Sequence, residues 1–151
     1  MNPGNIAKFV AVAATASVGI GAGVQDHVPE QASDLVEYQI KCNRAHAFLD
    51  GYIFDSTRGK YAFTDGEAHR PEITAKAYAR LGIGIAASLH TQRLARDKML
   101  IVDGVYTTDP KQYELPGLVW EAIGGSFGIK TAWGGRFGDA NHFSCAWAGR
   151  K

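Results

Sequence analysis

Cysteine is scarce in this chain of 151 residues: Cys42 and Cys145 are the only two, and they form no CxxC pair. That excludes a thiolate zinc knuckle and leaves either two buried thiols or one disulfide, with buried thiols the simpler expectation. Net charge is also nearly absent, at +1 from 16 basic and 15 acidic residues. Such a balance gives no electrostatic footprint for nucleic acid and no strongly charged membrane surface. Long hydrophobic runs are missing as well. The one extended uncharged stretch, Phe9 to Val24, is rich in Ala, Gly and Val, and it falls short of the about 20 strongly apolar residues of a stable membrane span. Internal repeats are absent. So is a phosphate loop, because Gly82-Ile83-Gly84-Ile85-Ala86-Ala87 carries two glycines without the GxxxxGK[ST] pattern or a following helix.

What is present is 46% hydrophobic and 21% charged, an ordinary globular composition on a chain long enough for one domain with a real core. Residues 1–32 stand apart from a domain over 33–151. Lys8, the apolar run and its small residues form the physical recipe for a secretory signal. Three readings follow: a cleaved signal peptide, a weak signal anchor with transient membrane contact through residues 6–24, or a helix packed on the domain. Gln25 to Gln31 reads as a polar linker.

Ser33 is placed to cap a helix in which Leu35, Tyr38, Cys42, Ala45, Phe48 and Tyr52 share one face, leaving His46 off the stripe and solvated. A strand follows within Gly59 to Ala68, ending at Glu67, His69 and Arg70. Pro71 suits the first turn of a helix through Ile73, Ala77, Tyr78 and Leu81. Asp97 begins a strand to Val102, and Asp103-Gly104 turns it into a hairpin with Val105-Tyr106-Thr107. Pro116 opens a short helix closed by Gly124-Gly125, with Trp120 packed inside. Residues 126–133 read as a loop. Asn141 to Trp147 is the final strand, with His142 and Ser144 on one face and Phe143, Cys145 and Trp147 on the other. The expected class is α+β, a small antiparallel sheet flanked by helices.

Two short stretches carry chemistry. His90 precedes Asp97, and Asp139 precedes His142 in Gly138-Asp139-Ala140-Asn141-His142. Two imidazoles and one carboxylate, His90, Asp97 and His142, make a zinc set with one position left open, which catalytic zinc requires and structural zinc usually lacks. Asp139 then reads as a general base. Against this stands a plainer reading, since a single histidine at a strand start is more often a hydrogen-bonded structural residue.

Five blocks in one order weigh for the metal: Gly66-Glu67-Ala68-His69-Arg70, Ser88-Leu89-His90, Arg93-Leu94-Ala95-Arg96-Asp97, Leu118-Val119-Trp120 with Gly124-Gly125, and Trp133 through Phe143. With them the chain resembles the M15 family of zinc peptidases, in its phage-type L-alanyl-D-glutamate endopeptidase (endolysin) branch. The resemblance implies an M15, hedgehog-like zinc peptidase fold, Zn2+ on His90, Asp97 and His142, Asp139 as base, and Arg70 reaching the active site. It also implies bacterial peptidoglycan as partner and phage lysis as setting, with the enzyme passing from host cytoplasm to periplasm or exported through its N-terminal segment. Ser88, Glu67 and Trp133 are further candidates for supporting the ligands or touching substrate; His69 is not counted as a ligand. Ser126 to Lys130 departs from the shorter family spacing and is expected to alter one wall of the cleft. A monomer is expected. Two rivals remain: a D-Ala-D-Ala carboxypeptidase or dipeptidase, and a zinc-bearing module that only binds cell wall or builds a virion.

Overall fold

The computed structural model describes residues 30–151, so the signal-peptide, signal-anchor and packed-helix expectations for the apolar segment lie outside the described residues, and the expected linker gives way to helix at Glu30. Helix α1 (Glu30–Ser56) is followed by β1 (Tyr61–Asp65), α2 (Glu72–Arg80), β2 (Ala95–Val102), β3 (Val105–Thr107), α3 (Glu114–Ile123), β4 (Thr131–Trp133) and β5 (His142–Cys145). Short 3-10 turns at Leu89–Gln92, Pro110–Tyr113, Gly124–Phe127 and Gly134–Phe137 join them. Among the described residues, no helix is long and apolar enough to cross a membrane.

All strand pairs are antiparallel, and the long strand β2 organises them. Its first half, Ala95 to Asp97, pairs with β5, and its second half pairs with β1 and β3. β4 closes the other edge of β5, giving the order β1-β2-β5-β4. The expected α+β class therefore holds. Asp103 and Gly104 both take positive φ, 51° and 81°, the geometry that a two-residue hairpin turn demands.

Side chains alternate across β2 and β5, and α1 covers one face. Arg96 reaches Asn43 of α1, Lys98 reaches Asp50, and Cys145 is joined to Cys42. Phe143, Leu100, Leu49, Ile53 and Trp120 fill the space between. The opposite face of the same two strands presents Asp97 and His142. α1 and α3 thus both supply the core on one face, and Asp97 and His142 lie on the other.

Several expectations change. The cysteines are not free thiols but a disulfide spanning 103 positions, a closure worth about 4 to 5 kcal/mol on chain-entropy grounds. Ser33 does not cap α1, which already runs at Glu30. The buried stripe is Cys42, Ala45, His46, Leu49 and Ile53, rotated by about one position from the expected one, with Phe48 and Tyr52 at its flank. His46 is consequently buried at 1% exposure, not solvated. In α2 the inward residue is Ala75, while Ile73 and Leu81 are exposed. Residues 131–133, read as loop, form β4. The preceding segment packs on α1: the Phe127 and Phe48 rings lie 5.8 Å apart, and Lys130 N–H donates to the Tyr38 hydroxyl at 3.1 Å. Trp147 leaves the last strand for an isolated bridge with Arg150.

Candidate metal centre and active cleft

His90 lies in the turn Leu89–Gln92, which Ser88 caps by accepting the His90 amide at 3.3 Å. The His90 carbonyl accepts the amides of Arg93 and Arg70, each at 3.2 Å, and Arg93 reverses the chain with φ 54°. Ser88 therefore acts on His90 through its backbone. The imidazole Nδ1 of His90 is buried and has no hydrogen-bond partner among the described residues.

Asp97 is held from two sides. Its amide donates to Glu67 O at 2.9 Å and its carbonyl accepts from Gly66 N–H at 2.6 Å. On the other edge it pairs with His142. His90 Nε2, His142 Nδ1 and Asp97 Oδ1 then form a triangle with all three edges at 3.2 Å. Burial pushes the Asp97 carboxyl up, but hydrogen bonds and charge from His142 and His90 outweigh it and hold the group well below the usual carboxylate range.

This triangle fits a zinc ion. Ligand atoms on a tetrahedron about 2.0 to 2.1 Å from zinc stand about 3.3 to 3.4 Å apart. Ring protons alone do not satisfy the arrangement. If each imidazole donates to the carboxylate, the two N–H groups confront one another; if one nitrogen accepts from the other, it can no longer donate to Asp97. A cation shared by three lone pairs satisfies all of them. His90 is buried, whereas Asp97 and His142 are partly open toward a cleft of about 370 Å³.

Arg70 and Asp139 line the same cleft. Arg70 is aimed by Glu67, whose Oε2 accepts from Nε at 2.9 Å and also from the terminal Nη2, and its guanidinium lies 4.9 Å from the Tyr78 ring centroid. The Glu67 hydrogen bond is also the chief reason the Arg70 pKa is raised, so the cation is permanent. Asp139 is exposed at the cleft and follows the turn Gly134–Phe137. Its amide donates to Gly134 O at 3.0 Å and its carbonyl accepts the His142 amide at 3.2 Å. Gly134 is required there, because an added Cβ would stand 2.7 Å from His142 Cβ and closer still to Asp139 O.

Trp133 is buried and sandwiched between Gly117 and Gly135, with its indole N–H donating to Ala140 O at 2.7 Å. It is a brace for the Asp139 loop and does not line the cleft. Ser126 to Lys130, expected at the cleft wall, do not line it either; Ile83, Gly84, Ile85 and Phe137 do. The first three come from the segment read only as a tight connection to His90. Ile83 and Ile85 are exposed where they line the cleft, yet in the sequence two isoleucines among glycines and alanines carry no signal distinct from core.

No family model matches the chain, and no curated protein matches it. Among solved structures, the crystal structure of the Serratia marcescens L-Ala D-Glu endopeptidase ChiX is similar, with a TM-score of 0.59 at 19% identity over 78% of this chain and 87% of that one. At that identity the likeness is one of fold.

Proposed function

We propose that this protein is a zinc-dependent peptidoglycan endopeptidase of the M15 type that cleaves the stem-peptide amide between L-alanine and D-glutamate, in phage-mediated lysis of a bacterial cell. One observation carries the reading: His90, Asp97 and His142 converge within 3.2 Å of one another at the floor of a cleft that Asp139 and Arg70 also line. The activity named for the Serratia protein of the same fold supports the choice of bond.

His90, Asp97 and His142 would hold the zinc, which supplies a Lewis acid and brings deprotonation of water near neutral pH. The chain's own residues do the rest. Asp139, an exposed carboxylate on the cleft wall, accepts the proton of the attacking water and returns it to the leaving amine. Arg70, fixed by Glu67, presents forked donors to the tetrahedral oxyanion or to a carboxylate of the acidic stem peptide. No covalent intermediate is needed.

The test is mass spectrometry of fragments released from purified peptidoglycan by zinc-loaded protein, with Asp139→Ala as control. New L-alanine carboxyl and D-glutamate amino ends, absent with the variant, are expected. Ends at D-Ala-D-Ala would redirect the reading to the carboxypeptidase rival. No cleavage of walls of several chemotypes by folded, zinc-loaded protein would replace it with the binding module.

A further inference from the structure

The Cys42–Cys145 disulfide has a third neighbour that the proposed hydrolysis does not use. Cys42 and His46 stand at i and i+4 on α1, one above the other on the same face, the spacing by which a helix offers two ligands to one ion. Cys145 closes the group from the end of β5. The three ligand atoms lie within 4.8 Å of one another, and all three residues are buried.

His46 is the second, independent observation. Its side chain is 1% exposed, yet neither Nδ1 nor Nε2 has a hydrogen-bond partner among the described residues. Its ring is stacked on Trp120, with centroids 4.3 Å apart. Buried polar groups are nearly always satisfied, so an imidazole with two idle nitrogens beside two sulfurs needs a reason. Burial first, then the positive charges of Lys98 and Arg96, hold its pKa well below the ordinary value. The ring is neutral and its lone pair is free.

We propose that when the disulfide is reduced, Cys42, His46 and Cys145 bind one Zn2+ as a buried Cys2His site, on the face of the sheet opposite the cleft. A thiol of the cell supplies the reduction: two R′SH become R′SSR′, and the Cys42–Cys145 bond becomes two thiols. Each thiol loses one proton as the metal enters, and the neutral imidazole loses none. Two thiolates cancel the charge of Zn2+, which suits a buried site, and thiolate with imidazole is a donor set that zinc takes. Zinc bound to two sulfurs at about 2.3 Å sets them nearly 4 Å apart, so the metal and the disulfide exclude each other. Thiols stay reduced in the cytosol and pair in oxidising compartments. The same three residues therefore hold a metal in one compartment and cross-link α1 to β5 in the other.

The experiment uses the full chain, oxidised or reduced with a phosphine, titrated with Co2+ as a spectroscopic stand-in and then with Zn2+. A thiolate-to-cobalt charge-transfer band is expected only after reduction, lost again on adding Zn2+, and matched by one further metal equivalent per chain. The His90 site contains no sulfur, so its behaviour does not affect the band. His46→Gln should weaken the band-forming affinity at least tenfold while air oxidation still forms the disulfide, followed by thiol titration. If reduction unfolds the chain, refolding by Co2+ with the band supports the site. A reduced chain that never shows the band, folded or not, overturns it, as does a His46→Gln variant with undiminished affinity.

Discussion

Asp97 and His142 face each other directly across the β2–β5 ladder, and neither spends its amide on the other. The Asp97 N–H goes to Glu67 O and the His142 N–H to Asp139 O. Such a non-hydrogen-bonded pair brings Cα atoms to about 4.5 Å and its side chains together on one face. The 3.2 Å contact between Asp97 Oδ1 and His142 Nδ1 follows from register. A slip of one residue would send one of the two toward α1.

Removing a corner of the triangle should remove the ion. Asp97→Ala and His142→Ala are expected to lower bound zinc from about one per chain to near zero at the His90 site, read by elemental analysis of oxidised protein. Retained stoichiometric zinc in both would detach the triangle from metal binding.

Asp139→Ala separates chemistry from binding. The side chain is exposed, so thermal stability and zinc content should stay unchanged. Hydrolysis should fall about a hundred- to ten-thousand-fold, the usual worth of a positioned acid or base. An active variant would move the base elsewhere.

Arg70→Ala should cost about a hundredfold in kcat, as loss of one oxyanion donor does. Glu67→Gln keeps the guanidinium but weakens its anchor, so a smaller loss of the same kind is expected, with zinc retained. Steady-state kinetics on a soluble stem peptide distinguishes the two.

Gly134→Ala places a methyl group against His142 and the Asp139 backbone. A carbonyl cannot rotate away as a long side chain can. The cost should be about 1 to 3 kcal/mol in urea unfolding, with weaker zinc binding, whereas Gly125→Ala, which meets no atom within 4 Å, should leave zinc binding unchanged.

His46 makes stability depend on pH. Its folded pKa lies well below the ordinary 6.5 because burial opposes the charged ring. Between those two values the unfolded chain holds the extra proton, so stability falls as pH drops below about 6.5, with a slope of up to about 1.4 kcal/mol per pH unit. Above that pH the effect vanishes. Urea denaturation of oxidised His46→Leu against the parent across pH 5 to 8 should show a difference that grows toward acid; parallel curves would mean that His46 does not titrate on unfolding.

The α+β class, the β2–β3 hairpin and a strand at His142 were legible because each rests on local signals: apolar period, Asp-Gly turn chemistry and alternation. The sequence by itself also held His90, Asp97, Asp139 and His142 as candidates, since their residue types and the order of the flanking blocks are local facts. It did not settle the face of α1. Both Phe48 with Tyr52 and Leu49 with Ile53 satisfy helical spacing, and only the sheet packed beneath selects the second line, bringing His46 inward with it. It did not settle the cysteines either, because a bridge across 103 positions depends on where α1 meets β5. The roles of Trp133 as a brace and Ser88 as a backbone cap, and the placement of Ser126 to Lys130 away from the cleft, were likewise decided only in three dimensions. Residue chemistry is written along the chain, but which groups share a face, a pair or a cavity depends on contacts between segments that periodicity cannot see.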